Sequence, residues 1–551
     1  MTTNNIKHYL LACCVGCGSV ALTTACSDWD DHYEEPVTHQ AGGGLTLWQT
    51  IQQNENLTDF AEVLSKTMVF KQHKKTSVSY ADLLNGSQAF TVLAPVNGTF
   101  NKDSVLNLLQ TNRGDSMVVR SFVGNHLSYS LTSNMESPKE FFLMNSKRAT
   151  IGNGMALDVP LKEYNIPAKG GLLHVLERTL PYRHNLYEIL LNDPSYAHLG
   201  EQLASYEEDE FSPTQSVEGG MVDGEQVYVD SVFIEHNIML NRVGKIADED
   251  STYFMVAPTD AEWQRVWQEA MEYFRYDTLV VGGDSLQRLY ANSALLGDAI
   301  FSRTIQASPK DSLVTPSYNK KYPKYHVFHK PFEEGGIFYG ATPREFSNGT
   351  LYTTDKWPFT PQTTYQREIR TEGERKDMIL GSNQISYDDR NHVADSVSEN
   401  GYLYITPEGN ANWNITFKLE NTLAGTYDIC VVVLPQTVYD PTLTDLKPCR
   451  FTAEVNYVDE NGTAQKFGDA KVKFDTDPYK VDTLVIAQDF KFPVCNYDQN
   501  NDKISVKLTC NVQAKDLVKG VFTRDLFLDC IYLRPKKVKS EELNNYEKSN
   551  L

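Results

Sequence analysis

Between residues 45 and 182 the apolar positions first recur with a helical period and then run in short unbroken blocks. Leu47, Trp48 and Ile51, then Leu57, Phe60, Ala61 and Leu64, fall at spacings that put them on one face, which predicts helices over this stretch. Residues 89–94 (Ala-Phe-Thr-Val-Leu-Ala) read as a buried strand that Pro95 ends, and Asn97 is placed to cap a helix carrying Phe100 and Val105 inward. Residues 118–127 read as a helix running into a strand, and Gly170-Gly171 opens another apolar run, Leu172 to Leu176. The same order returns further on. Leu186-Tyr-Glu-Ile-Leu-Leu191 starts a helix, Tyr253-Phe-Met-Val-Ala-Pro258 a strand, and Asn348-Gly349 opens a run to Asp355. After Trp357-Pro358 the period changes to two. Residues 412–419, 425–433, 451–457 and 504–510 alternate apolar and polar positions between turns, which predicts a β-sandwich.

Both ends of the chain depart from these patterns. Lys7 precedes a short apolar run from Tyr9 to Leu22, the layout of a secretory signal that is too brief to cross a bilayer. Leu22-Thr-Thr-Ala-Cys26 closes it and resembles the lipobox of bacterial lipoproteins, which implies removal of residues 1–25 and lipidation of Cys26. Residues 26–44 (Ser-Asp-Trp-Asp-Asp-His-Tyr-Glu-Glu and on to a glycine triplet) are an acidic tether. The acidic cluster resembles the surface-export signal of lipoproteins in Gram-negative gut bacteria. Domain limits follow as 45–183, 184–360 and 361–536, with a charged tail at 537–551.

Composition narrows the function classes. A formal net charge of −21 over 551 residues leaves no basic excess for a nucleic-acid partner. No G-x-S-x-G, H-E-x-x-H, P-loop or G-x-G-x-x-G occurs, so a catalytic role is not expected, although dispersed carboxylates of a glycosidase would leave no motif. No cofactor is expected. Cys430, Cys449, Cys495, Cys510 and Cys530 all fall late in the chain without CxxC spacing, which speaks against zinc and leaves buried thiols and disulfides both open. His326 and His329 lie three apart in a strand-like run and are expected to be structural. Asp498, Asn500 and Asp502 begin like a calcium loop but lack its glycine and glutamate, so no metal is expected. Arg113-Gly114-Asp115 is read as a turn.

Three motifs in order carry a family resemblance. Phe90-Thr-Val-Leu-Ala-Pro-Val-Asn-Gly-Thr-Phe100, Asn125-His126 and Gly171-Leu-Leu-His-Val-Leu-Glu-Arg-Thr-Leu-Pro181 resemble the fasciclin domain. The second copy restates the first motif at residues 253–263 but has Tyr352 where the family has His, and Asn292-Ser293 as the nearest substitute for the central pair. Phe527-Leu-Asp-Cys-Ile-Tyr-Leu-Arg-Pro535 resembles the closing strand of galactose-binding-like jelly rolls. The expected fold is therefore multidomain α+β, with two tandem fasciclin domains and a C-terminal jelly-roll β-sandwich. The resemblance implies binding or adhesion. The leading expectation is a non-catalytic, lipid-anchored accessory on the outer-membrane surface. It would dock to the TonB-dependent transporter and lid lipoprotein of a Sus-type glycan-uptake system and take up a polysaccharide or oligosaccharide. An adhesin working through the fasciclin pair and a glycan hydrolase are the alternatives. Trp413, Tyr402, Tyr404 and Tyr427 are the candidate sugar-stacking residues. Eight Asp-Ser/Thr-apolar triplets, among them those at Asp103, Asp115, Asp284 and Asp311, resemble an O-glycosylation sequon of exported proteins.

Overall fold

The computed structural model describes residues 44–536, apart from 72–73, 112–113, 213, 215, 223–224, 231–232, 305–310 and 317–325. The signal, Cys26, nearly all of the tether, Arg113 and the tail at 537–551 lie outside the described residues. The chain divides into two units, residues 1–183 and 184–551. Among the described residues no helix is long and apolar enough to cross a membrane.

In the first unit Thr46 starts the helix α1 (Leu47–Gln52) through a capping box with Gln49, and α2 (Thr58–Lys66) follows. Their apolar faces bury Leu47, Ile51, Phe60, Val63 and Leu64. Beneath them lies a seven-stranded mixed sheet. Its strands are β1 (Phe90–Pro95), β2 (Leu127–Ser128), β3 (Lys139–Phe142), β4 (Arg148–Gly152), β5 (Met155–Ala156), β6 (Val159–Ala168) and β7 (Gly171–Leu176), in the order β2-β1-β7-β6-β5-β4-β3. β1 and β7 are parallel, with Phe90 opposite Gly171. A Cβ on Gly171 would stand 1.9 Å from the Phe90 carbonyl oxygen, and its φ of +143° also calls for glycine. Asn97 departs from expectation. Asn101 caps the helix Lys102–Leu108, while Asn97 ties the end of β1 to α2 by accepting from the Asp59 N–H at 2.9 Å and donating to the Glu55 carbonyl.

The second unit repeats this frame. Asn185 forms a capping box with Glu188 at α3 (Leu186–Asn192), and α4 (Ala197–Ala204) follows. After α4 come two antiparallel strand pairs, Glu207–Phe211 with Phe233–Asn237 and Val217–Val222 with Glu225–Asp230. The mixed sheet comprises β8 (Tyr253–Pro258), β9 (Ile300–Ser302), β10 (Ser312–Val314), β11 (Val327–His329), β12 (Thr342–Phe346) and β13 (Gly349–Thr354), in the order β11-β10-β9-β8-β13-β12. Helices α5 (Asp260–Tyr273) and α6 (Gly283–Gly297) lie between β8 and β9 in the chain. β8 and β13 are parallel with Tyr253 opposite Gly349, where a Cβ would stand 2.1 Å from the Tyr253 oxygen. Gly171 and Gly349 also meet Leu47 and Leu186, the first residues of α1 and α3, in the same way. The repeat read from the sequence therefore holds at the level of register.

The remaining strands form two facing antiparallel sheets. The first contains β14 (Ile369–Glu372), β16 (Ile385–Asn391), β17 (Gly401–Pro407), β19 (Gly425–Val433), β23 (Asp482–Phe492) and β25 (Leu526–Pro535), ordered β16-β17-β25-β19-β23 with β14 on β25. The second contains β15 (Ile379–Asn383), β18 (Asn414–Lys418), β20 (Arg450–Val458), β21 (Ala464–Phe467), β22 (Phe474–Asp475) and β24 (Ser505–Cys510), ordered β15-β18-β24-β20-β21 with β22 on β20. The four strands predicted at 412–419, 425–433, 451–457 and 504–510 are β18, β19, β20 and β24.

The boundary at 360/361 marks a change of fold and not a break in the core. Leu423 and Cys495 of the sandwich belong to the same buried cluster as Phe274, Tyr290 and Leu295, with Tyr365 and Tyr497 packed on it. The backbone joins as well: the Cys495 N–H donates to the Arg275 carbonyl at 2.7 Å and the Ala424 N–H to that of Tyr273 at 2.9 Å. The polar loop at Asp498 to Asp502 is part of this seam, since Tyr290 donates to Asp498 and Lys503 pairs with the buried Asp277 at 2.7 Å.

Candidate functional site

Alternation along β17 separates two environments. Leu403 and Ile405 enter the core between the sheets, and Tyr402 and Tyr404 face the other way. β25 is β17's neighbour and places Phe527 directly opposite Tyr404. The two rings stack at 4.8 Å between centroids with planes 13° apart. Tyr439, from the turn after Gln436–Val438, closes the group at 4.9 Å from Tyr404 and is 50% exposed. The Arg390 guanidinium lies 5.8 Å from the Tyr439 ring and also donates to Asp388 at 3.2 Å. Burial pushes the Tyr404 phenol up to about 12, helped by the nearby Asp525, so the hydroxyl stays protonated and able to donate. A half-exposed aromatic face edged by a guanidinium and carboxylates suits the apolar face of a sugar ring with its hydroxyls at the rim.

The four candidate stacking residues are split by this geometry. Tyr404 belongs to the platform. Tyr402 and Phe527 are on the same face but only 2% and 4% exposed, so both support the exposed rings from beneath. Trp413 and Tyr427 correct the expectation: both are 0% exposed inside the core, and the Trp413 indole donates to the Arg524 carbonyl at 2.6 Å. No sugar can reach them. The phase of alternation contained the answer, because Trp413, Ile415, Phe417 and Leu419 share one phase and all are buried. Phe527 was legible in the same way. Tyr439 was not, since a loop residue has no period.

Beside the platform lies a nest of acids. Glu372, at the end of β14, and Asp529, on β25, both engage Ser398: Glu372 Oε1 accepts from the Ser398 hydroxyl at 2.8 Å and Asp529 Oδ1 from its N–H at 2.9 Å. Glu374 stands close, against Gly401, where a Cβ would lie 2.8 Å from Glu374 Oε1. Oε2 of Glu372 and Oε2 of Glu374 are buried with no hydrogen-bond partner. Burial, helped by the charge of Glu374 and opposed by the Ser398 hydrogen bond, pushes the Glu372 carboxyl up to about 7; burial also raises Glu374 and Asp529. Orphaned carboxylate oxygens suit a hard divalent cation such as calcium. As placed, however, no three acidic, His or Cys groups among the described residues stand close enough to hold a metal ion, so a cation would require the glutamates to close in. The Glu-x-Glu spacing and the strand-borne Asp529 were present in the sequence; what brings them together is the pairing of β14 with β25.

Elsewhere the expected groups have structural partners. His326 pairs with the buried Asp298, and His329 with the Ser312 hydroxyl at 2.6 Å. Where a turn is expected, Gly114 and Asp115 instead open the helix Gly114–Val118, and Asp115 is held by Lys75 at 2.7 Å. His126 is buried. Its Nε2 accepts from the Leu180 N–H at 3.0 Å, so Nδ1 carries the proton to the Phe122 carbonyl at 2.8 Å, and burial holds its pKa down at about 4. His174 accepts at Nδ1 from Asn165 N–H and donates from Nε2 to the Thr132 carbonyl at 3.0 Å. Of the sequon-like hydroxyls, Ser104, Ser116 and Ser285 are exposed, and Ser312 is buried.

No protein-family model and no curated protein sequence matches the chain. Among solved structures it is similar to a FAS1 domain pair from the insect cell adhesion molecule fasciclin I, at 11% identity and a TM-score of 0.19, covering 50% of this chain and 90% of that one. It is also similar to the C-terminal family 22 carbohydrate-binding module of Clostridium thermocellum Xyn10B, at 14% identity and a TM-score of 0.19, over 33% of this chain and 93% of that one. A xanthan lyase from Paenibacillus matches at 15% identity and a TM-score of 0.21, over 34% of this chain but 16% of the lyase. The chain is thus a multidomain protein of mixed α and β content that has a fasciclin pair and carbohydrate-binding modules among its structural neighbours, at scores that carry no functional argument.

Proposed function

We propose that this chain is a non-catalytic surface protein that binds a saccharide on the outer face of its sandwich. The observation that carries the reading is the Tyr404–Tyr439 face, backed by the buried Phe527, with Arg390 at its edge. In the fuller form of the proposal, lipidated Cys26 holds the protein at the outer membrane, and the two N-terminal fasciclin-like sheets dock it to a TonB-dependent transporter and its lid lipoprotein in a Sus-type system. The motifs Phe90–Phe100 and Gly171–Pro181 and the shared register of the two sheets support that part.

Affinity electrophoresis of the full protein against a polysaccharide panel is the first test. Retardation by at least one polysaccharide is expected, with Tyr404→Ala and Tyr439→Ala each weakening it about tenfold, or ~1.4 kcal/mol; unchanged mobility of both variants would sink the platform reading. Isolation from solubilised outer membranes should bring down the transporter pair, and Cys26→Ala should release the protein or strand its precursor. Release of sugars from the same panel would favour a hydrolase instead.

A further inference from the structure

Two of the five late cysteines are placed together in the sandwich core. Cys510 ends β24, directly opposite Phe451 of β20, and Cys449 lies just before β20. Cys449, Phe451, Cys510 and Val512 are all buried in the same cluster, so alternation sets Cys449 diagonally across from Cys510 on one face. This placement brings the two thiols close enough for each to shift the other's ionisation. Cys430 and Cys530 occupy the equivalent diagonal between β19 and β25, with Cys430 opposite Tyr532 and Val432 opposite Cys530. There the surroundings differ: Cys430 has Tyr532 beside it, and Cys530 donates to Asp529 at 3.6 Å. Cys495 lies apart, in the seam beside Tyr276.

A buried cation stands next to the first pair. Arg524 is 6% exposed; its guanidinium donates to the Asn410 carbonyl and to that of Val512 at 2.9 Å, and its Nε is buried with no hydrogen-bond partner. It is tied to Cys510 through Trp413, whose indole donates to the Arg524 carbonyl while the Trp413 carbonyl accepts from the Cys510 N–H at 2.9 Å.

We propose that Cys449 and Cys510 are a redox pair that closes a disulfide across β20 and β24, with Cys510 as the attacking thiol. Their proximity, with Arg524 nearby, holds the Cys510 thiol below its ordinary value and the Cys449 thiol well above it, which favours the thiolate on Cys510. Asp525 acts on Cys449 in the same direction. The oxidant is a disulfide, either small or carried by a thiol oxidoreductase. Cys510 Sγ attacks one of its sulfurs, that S–S bond breaks, and one oxidant thiol leaves. Cys449 then gives up its proton, attacks Cys510 Sγ, and expels the second oxidant thiol. Two protein thiols lose two protons and two electrons, and one disulfide becomes two thiols. Because both sulfurs are buried, closure belongs to folding or to local opening.

The experiment is refolding of the full chain with oxidised glutathione, followed by alkylation under denaturing conditions and peptide mapping. Expected is one peptide pair joined through Cys449 and Cys510, two hydrogen atoms lighter than the reduced pair, with Cys430, Cys495 and Cys530 alkylated. Alkylation of both Cys449 and Cys510, or a bridge to another cysteine, would overturn the proposal. In the Cys449→Ser variant glutathione should remain on Cys510. An unmodified Cys510 in that variant, refolded the same way, would overturn its role as attacking thiol, and the wild-type map stands without any variant.

Discussion

In the first mixed sheet the residue opposite Leu93 is His174, and in the second the residue opposite Val256 is Tyr352. His174 is buried and makes two hydrogen bonds, to Asn165 and Thr132. Tyr352 is half-exposed and stacks on Phe338 at 4.1 Å, with Phe254 and Phe332 around it. One frame thus holds a polar lock in one copy and an aromatic cluster in the other. The parallel strand pair and the glycine at its start set the geometry in both sheets, and the side chain three residues on is free to change provided its neighbours change with it. The same contrast holds for the partners of each sheet. The first closes its core within residues 44–183, whereas the second shares its core with the sandwich through Leu423 and Cys495.

The largest effect should come from the feature the two sheets share. Gly171→Ala should cost about 3 kcal/mol or more, since it adds both a clash with the Phe90 carbonyl and a strained φ. Gly349→Ala should cost somewhat less, because only the clash applies. Urea unfolding of each variant checks this, and equal tolerance of both changes would break the analogy.

Acid should then separate the units. His126 has its pKa lowered from 6.5 to about 4, so its contribution, about 3 kcal/mol, is fully present above pH 6.5 and is lost as pH falls toward 4. Glu372 acts in the opposite sense: its pKa is raised from 4.5 to about 7, so stability of the second unit falls as pH rises through that window. Thermal scans at pH 4.5 and 7.5 should move the two transitions in opposite directions.

The smallest effects fall on the exchanged position itself. His174→Phe leaves the Thr132 carbonyl and the Asn165 N–H unpaired and should cost about 2 kcal/mol, while Tyr352→Phe should stay within about 0.5 kcal/mol. Chemical denaturation of the two variants measures the difference directly.

The framework was legible because its signals are local and periodic. Helix-face spacing located α1 and α2, the apolar run before Pro95 located β1, and recurrence of the same blocks located β8 and β13. Asn97 was misjudged, since whether an Asn caps the next helix or reaches back to α2 depends on what lies within 3 Å of it. The candidate site was legible only in part. Aromatic type alone points to Tyr404 but does not separate it from Trp413 and Tyr427, whose strand phase turns them into the core. Tyr439 and the meeting of Glu372 with Asp529 could not be read at all. They depend on a turn and on a pairing between strands more than 150 residues apart in the chain.

Sequence alone determined where helices and strands form, that one unit recurs, and that a sandwich follows, because each is written in spacings of a few residues. Tertiary structure decided which aromatic rings face water, which carboxylates are forced together, which two cysteines lie diagonally across one strand pair, and that the second sheet and the sandwich share one core. Those outcomes follow from strand order and register, and hydrophobic burial sets these across the whole chain at once.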